Sequence, residues 1–205
     1  MSPINLHDFV PRSRANGPRE RAVVWVQGCH RHCAGCFNPE SHSFATKELV
    51  AVDDLFARIA GVGRIDGVTF SGGEPFSQAA ALAELAKKIH GLGLTVVCYT
   101  GYTVEQLRKA KRADWNALME QVDLLIDGPF VQSERSNEPY RGSLNQRLIF
   151  LTGRIRQEDI EEAQQTAELT LSVDGSLTAT GFPEYPDAAE VMAAVNPALN
   201  KLGAG

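Results

Sequence analysis

The sequence predicts an α/β protein built as an incomplete β/α barrel or open α/β sheet, with a small C-terminal β-hairpin. Short apolar runs alternate with helical patterns through residues 22–127, as expected of successive right-handed β/α units. The chain has 205 residues, fewer than the roughly 250 of a complete eight-stranded β/α barrel. We therefore expect a single domain over residues 1–205, with its core at about 20–152 and a hairpin and tail at 153–205.

Five strands are predicted from near-continuous apolar runs, the pattern of a parallel sheet that is buried on both faces. They span residues 22–27, 67–71, 95–100, 123–127 and 147–151. Helical spacing of apolar residues predicts helices at 47–60, 78–90 and 104–119.

The chain after the fourth strand follows a different pattern. Residues 129–144 are polar and rich in turn formers, which predicts a long loop. An Asp-Gly pair at 174–175 separates two strand-like segments, 168–173 and 176–180, and is a strong hairpin signal. A short helix is predicted at 187–195.

Composition and charge narrow the classes of function. Apolar residues make up 43% and charged residues 22%, which is typical of a globular protein and excludes a disordered or fibrous one. There is no apolar run of membrane-spanning length and no signal-peptide pattern at the start, so we expect a cytoplasmic protein without membrane contact. The net charge of −5 argues against nucleic acid as a partner.

Three of the four cysteines lie within one short segment that directly follows the first predicted strand. Cys29, Cys33 and Cys36 have the spacing Cys-x3-Cys-x2-Cys, so their thiolates can converge on a single metal centre. Glycines at 28 and 35 allow the backbone to fold closely around such a centre. The fourth, Cys98, lies in an apolar strand and is expected to be a buried structural thiol.

Three interpretations of this segment compete. Chance clustering of core cysteines is disfavoured, because the segment also carries an arginine and two histidines. A structural zinc site would need a fourth ligand from His30, His32 or Cys98. A [4Fe–4S] cluster normally takes four thiolates, so a three-cysteine loop would leave one iron open to a ligand.

The second predicted strand ends in a glycine-rich turn. Its sequence is Ser71-Gly72-Gly73-Glu74-Pro75. The two glycines let the backbone approach a ligand closely, and the adjacent carboxylate can hold an ammonium group. Alone this is a weak signal, because strand-to-helix turns often use Gly and Pro. One β/α unit after a three-cysteine loop, it becomes a strong one.

Together the two motifs resemble those of the radical S-adenosylmethionine (SAM) superfamily. The resemblance implies a partial β/α barrel of the radical SAM type, with a [4Fe–4S] cluster bound by Cys29, Cys33 and Cys36. It also implies that the open iron chelates the amino and carboxylate groups of SAM, while the Gly-Gly-Glu-Pro turn contacts the amino group. The reduced cluster would then donate an electron to the sulfonium, giving methionine and a 5′-deoxyadenosyl radical.

Further segments resemble one branch of that superfamily, the activating proteins of anaerobic ribonucleoside-triphosphate reductase. They are residues 98–103, 123–128 and 141–147, and the resemblance spans about 4–152. It implies an oxidoreductase that abstracts a hydrogen from a glycine of a large glycyl-radical enzyme, the anaerobic ribonucleotide reductase. The implied electron donor is a flavodoxin or ferredoxin.

The same resemblance gives candidate SAM-binding residues outside the cysteines. They are Phe37, Ser71, Gly72, Gly73, Glu74, Thr100 and Asp127. Core packing is the alternative for Phe37, and capping is the alternative for Thr100 and Asp127. Related enzymes often carry a lysine two residues after the fourth-strand aspartate, where this chain has Pro129. Four further residues would orient SAM, dock the partner or form a solvated loop: Arg141, Asn145, Gln146 and Arg147.

Two other functions remain open from the sequence. The first is a radical SAM enzyme that acts on another peptide or on a small molecule. The second, of a different class, is a zinc-stabilised binding module without catalysis.

Overall fold

A seven-stranded mixed sheet forms the centre of the computed structural model, which describes residues 3–161, 167–171 and 177–181. In chain order the strands are β1 (Ile4–Ser13), β2 (Arg21–Val26), β3 (Glu48–Val50), β4 (Gly67–Gly72), β5 (Thr95–Tyr99), β6 (Leu124–Asp127) and β7 (Arg147–Phe150). Across the sheet their order is β3-β1-β2-β4-β5-β6-β7. The α/β class predicted from the sequence is confirmed.

The four central strands, β2, β4, β5 and β6, run parallel and correspond to the first four predicted strands. Their side chains alternate between two apolar layers. Phe70 and Val96 belong to the larger layer, whereas Val97 and Ile126 belong to the smaller layer on the opposite face. Because parallel strands end at the same edge, the segments that follow them gather there.

Helices cover both layers. They are α1 (Val52–Ala60), α2 (Ala79–Gly91), α3 (Val104–Ala110), α4 (Ala113–Met119) and α5 (Gln157–Glu161). Helices α1 to α4 contribute to the larger layer and α5 to the smaller one. The helix predicted at 104–119 is divided, because Lys111 adopts a left-handed conformation (φ 50°) that ends α3. None of the helices in the described part of the chain is long and apolar enough to cross a membrane.

Three strands differ from the predicted parallel sheet. Strand β1, which the sequence did not predict, pairs antiparallel with β2 through two irregular steps and contains Pro11, so its alternation is interrupted. Residues Glu48–Val50 pair with β1 as a strand, so the helix predicted from residue 47 begins later. Strand β7 is antiparallel to β6, because the described segment between them contains no crossover helix.

The predicted C-terminal hairpin is present as an antiparallel pair, β8 (Ala167–Leu171) and β9 (Leu177–Gly181). It contacts the segment before β2, because the Asn16 side-chain amide donates to Thr180 Oγ1 at 2.5 Å. The predicted turn residues and the helix predicted at 187–195 lie outside the described residues.

A buried guanidinium joins the amino ends of β2, β4 and β5. Arg21 is 1% exposed. It donates five hydrogen bonds of 2.9–3.1 Å, to the hydroxyls of Thr69 and Thr95 and to the carbonyls of Pro18, Val68 and Thr95. Burial lowers the pKa of Arg21 to about 10, so the group stays charged at neutral pH. No pattern in the sequence predicts this role of Arg21.

Replacing Arg21 by Met should therefore destabilise the fold. The substitution leaves buried hydroxyls and carbonyls without their donor, which should lower the free energy of unfolding by about 3 kcal/mol. Equilibrium urea unfolding followed by circular dichroism measures the change. Arg108→Met, at an exposed position on α3, is the matched control and should change stability by less than about 0.5 kcal/mol. Equal unfolding midpoints for the two variants would contradict this role of Arg21.

Candidate functional site

The two predicted motifs meet at one cavity at the carboxyl ends of the parallel strands. Eight predicted residues line it: Cys29, Cys33, Cys36, Ser71, Gly72, Gly73, Glu74 and Thr100. The cysteines follow β2, the glycine-rich turn ends β4, and Thr100 follows β5. Ligands of open α/β sheets bind at this edge, so the cavity is the candidate site.

The three thiols are held on a tight loop. Cys29 is 7% exposed, and Cys33 and Cys36 are half-buried. The backbone N–H groups of Arg31 and Asn38 donate to Cys29 Sγ and Cys36 Sγ, both at 3.4 Å, which favours the thiolate forms. Burial is the larger effect and raises the pKa of the Cys29 and Cys36 thiols. Both are therefore protonated at neutral pH until a metal displaces the protons.

The start of the cysteine loop is hydrogen-bonded to the glycine-rich turn. The Gly73 N–H donates to the Val26 carbonyl at 2.7 Å, and the Glu74 N–H donates to the Gly28 carbonyl at 2.8 Å. A Cβ atom at Gly73 would lie 2.4 Å from that Gly28 oxygen, so only glycine permits the contact. The two motifs thus form one backbone unit, although they are far apart in the sequence.

Glu74 extends this unit to the next strand. Its carboxylate, 1% exposed, accepts hydrogen bonds from the Phe76 N–H at 3.0 Å and from Thr100 Oγ1 and the Gly101 N–H at 2.8 Å. Burial raises the pKa of Glu74, and these hydrogen bonds partly oppose that rise. A carboxylate offers about four acceptor positions, so one remains for a ligand ammonium group.

Two predicted SAM contacts are not among the residues that line the cavity. Asp127 is fully buried and accepts hydrogen bonds from the Val104 N–H at 2.7 Å and from the Arg147 guanidinium at 2.9 and 2.5 Å. It therefore caps α3 and anchors the start of β7. The Phe37 ring packs edge-on against Phe130, with 4.9 Å between ring centroids. The structure thus gives Asp127 the capping contact that was its alternative, whereas Phe37 is half-buried and packs on Phe130 outside both apolar layers.

Some lining residues were not singled out in the sequence. Arg31, His42 and Tyr99 line the cavity without having been candidates. Gln146, a candidate for orienting SAM or docking the partner, lines it as well. The signal for Arg31 was present, because a cation between two metal-ligand candidates is unusual in a core. His42 and Tyr99 had no such signal, since their positions depend on how the loop and strand pack. Gln146 is fixed by hydrogen bonds to its own loop and to the strand end before it.

The donor set fits an iron–sulfur cluster better than a zinc ion. A zinc ion needs its ligands around one point, and no three His, Cys, Asp or Glu side chains in the described residues are arranged to hold one ion. In a four-iron cluster each thiolate binds a different iron, so three thiols lining a common cavity suffice. Cys98 is fully buried in the larger apolar layer, as predicted, and His30 is exposed.

Comparisons with known proteins agree with this assignment. Residues 15–149, more than half of the chain, match the model of the 4Fe-4S single cluster domain family. The anaerobic ribonucleoside-triphosphate reductase-activating protein of Vibrio cholerae is 30% identical over 155 residues, which is 70% of this chain and 96% of that protein. That of Enterobacteria phage T4 is 25% identical over 76% of this chain and its own full length.

A further match covers a smaller share of both proteins. A putative glycyl-radical enzyme activating enzyme of Haemophilus influenzae is 36% identical over 47% of this chain and 37% of that protein. The matches confirm the resemblance drawn from the motifs. The chain therefore belongs to the 4Fe-4S single cluster domain family and to the anaerobic ribonucleoside-triphosphate reductase-activating proteins.

Proposed function

We propose that this protein activates a glycyl-radical enzyme by reductive cleavage of SAM at a [4Fe–4S] cluster held by Cys29, Cys33 and Cys36. One observation carries the proposal. The three thiols and the Gly-Gly-Glu-Pro turn line the same cavity, and the backbone of the turn is bonded directly to the start of the cysteine loop. A ligand held by the turn would therefore lie beside the thiols.

The chemistry divides between the bound groups and the chain. When bound, the reduced cluster and SAM supply one electron and a C–S bond whose cleavage yields methionine and a 5′-deoxyadenosyl radical. The chain supplies three thiolates, which leaves an iron open for SAM. Glu74 and the backbone of Gly72 and Gly73 would orient the amino group, with Ser71 and Thr100 beside them. Contacts of Phe37 or Asp127 with SAM would require a rearrangement of their present packing.

The proposed target is a glycine of a large partner enzyme. Transfer of its α-hydrogen to the 5′-deoxyadenosyl radical would give 5′-deoxyadenosine and leave a glycyl radical on the partner. The names of the relatives in Vibrio cholerae and phage T4 favour anaerobic ribonucleotide reductase as that partner. We further infer a partial barrel of the radical SAM type, because the seven strands form an open order with β3 and β7 at its ends. Such an opening suits entry of a protein loop.

The remaining parts of the proposal concern the setting of the reaction. A flavodoxin or ferredoxin would supply the electron, since the reaction needs a one-electron donor of low potential. All four cysteines are free thiols in the structure, which suits a reducing compartment such as the cytoplasm.

Substitution of each cluster cysteine tests the proposal. Cys29→Ala, Cys33→Ala and Cys36→Ala should each abolish 5′-deoxyadenosine formation by the anaerobically reconstituted and reduced protein, because each removes one iron ligand. The cluster absorbance should fall as well. Cys98→Ala is the matched control, since this thiol is fully buried away from the cavity lining, and it should keep both cluster and product. Product from any of the first three variants, or zinc at one equivalent in place of iron, would refute the assignment.

The backbone contact between the two motifs gives a second prediction. Gly73→Ala should separate the turn from the cysteine loop, because the new Cβ would meet the Gly28 carbonyl at 2.4 Å. We expect at least about a ten-fold loss of 5′-deoxyadenosine, since misplacement by about 1 Å is sufficient for such losses. Gly91→Ala is the control, because an added Cβ there meets nothing within 4 Å. Equal product from the two variants would show that the contact is dispensable.

A further inference from the structure

Arg31, which lies between the first two cysteines, has its side chain directed towards the turn after β5. Its guanidinium carbon lies 4.8 Å from the centroid of the Tyr102 ring, a cation–π contact that holds a planar guanidinium in place. Its aliphatic part is packed so closely on Gly101 that a Cβ atom there would meet Arg31 Cγ at 2.9 Å. The turn after β5 thus holds both the aliphatic part and the guanidinium of the Arg31 side chain in place.

Among the described residues, the N–H donors of this guanidinium have no hydrogen-bond acceptor, although its charge acts on Glu74 and on the Tyr102 ring. Within the described part of the chain it forms neither an ion pair nor a side-chain hydrogen bond, whereas the guanidinium groups of Arg21 and Arg147 are fully engaged. Arg31 nevertheless is half-buried and lines the cavity with the three cysteines. A half-buried arginine whose one partner is an aromatic ring, with no acceptor for its N–H donors in the part of the chain that the structure describes, points to an anion that it binds in the working protein.

The cavity therefore presents one group of each charge. Among the residues that line it, Arg31 is the one cation of the lysine or arginine type, and Glu74 is the one carboxylate. A ligand end that carries an ammonium and a carboxylate on one carbon, an α-amino acid, is complementary to this pair.

We propose that Arg31 binds the carboxylate of the methionine part of SAM and so positions it in the cavity. This inference rests on the function proposed above. The guanidinium fork can offer two parallel N–H donors to a carboxylate, and its packing on Tyr102 means that little side-chain freedom is lost on binding. Arg31 is a positioning and specificity residue, since it selects ligands that carry the carboxylate.

The test compares SAM with decarboxylated SAM, which lacks only that carboxylate. Dissociation constants of both ligands are measured by anaerobic equilibrium dialysis for the cluster-loaded wild type, Arg31→Gln and Arg31→Lys. Arg31→Gln should weaken SAM binding by about ten-fold or more, as expected for loss of a charge-assisted hydrogen bond. It should change binding of decarboxylated SAM by less than about two-fold, because that ligand offers Arg31 no partner. Arg31→Lys should fall between, since lysine keeps the charge without the fork.

The outcomes separate this inference from the proposed function. If Arg31→Gln weakens the binding of SAM and of decarboxylated SAM equally, or leaves SAM binding unchanged, the role of Arg31 is overturned. Binding of SAM by the wild type would still uphold the proposed function. Failure of the cluster-loaded wild type to bind SAM would overturn both. The cluster absorbance of each variant reports whether the loop is intact, and Arg31→Lys provides the comparison if Arg31→Gln does not hold the cluster.

Discussion

The site depends on the backbone contact between the Gly-Gly-Glu-Pro turn and the start of the cysteine loop. The Glu74 N–H bonds the Gly28 carbonyl, and Gly73 leaves the space in which that carbonyl lies. Because the cysteine loop starts at this contact, the end of β4 fixes where the loop, and with it the three thiols, lies. The Glu74 carboxylate then carries the same constraint to β5 through Thr100 and Gly101. Three strand ends are thereby held in one arrangement.

The charged groups at the two ends of the parallel strands differ in how completely their hydrogen-bonding capacity is used. At the amino ends, Arg21 donates all of its hydrogen bonds to neutral hydroxyls and carbonyls, and it leaves no capacity for a ligand. At the carboxyl ends, Glu74 retains an acceptor position and Arg31 retains its donors. The first arrangement stabilises the sheet, whereas the second is suited to bind a ligand that carries both charges.

The sequence predicted those parts of the molecule that depend on local patterns. Strands β2, β4, β5 and β6 were predicted because burial on both faces demands continuous apolar runs, and the cysteine loop and glycine-rich turn because short spacings define them. Strand β1 was missed because its pairing with β2 is irregular and because the strand contains Pro11. The direction of β7, the role of Arg31 and the presence of His42 in the cavity depend on contacts between distant segments, which no local pattern specifies. Asp127 ends a strand, as a ligand contact would require, yet its partners are a helix start and Arg147.

In the function proposed above, the cavity produces a radical that is used on a protein glycine. The most direct measurement incubates the cluster-loaded protein, SAM and a one-electron reductant with an anaerobic ribonucleotide reductase whose glycines carry deuterium at the α-carbon. We expect a glycyl-radical signal from the reductase by electron paramagnetic resonance, together with deuterium in the 5′-deoxyadenosine that is formed. Formation of 5′-deoxyadenosine without deuterium and without a radical on the reductase would contradict the claim.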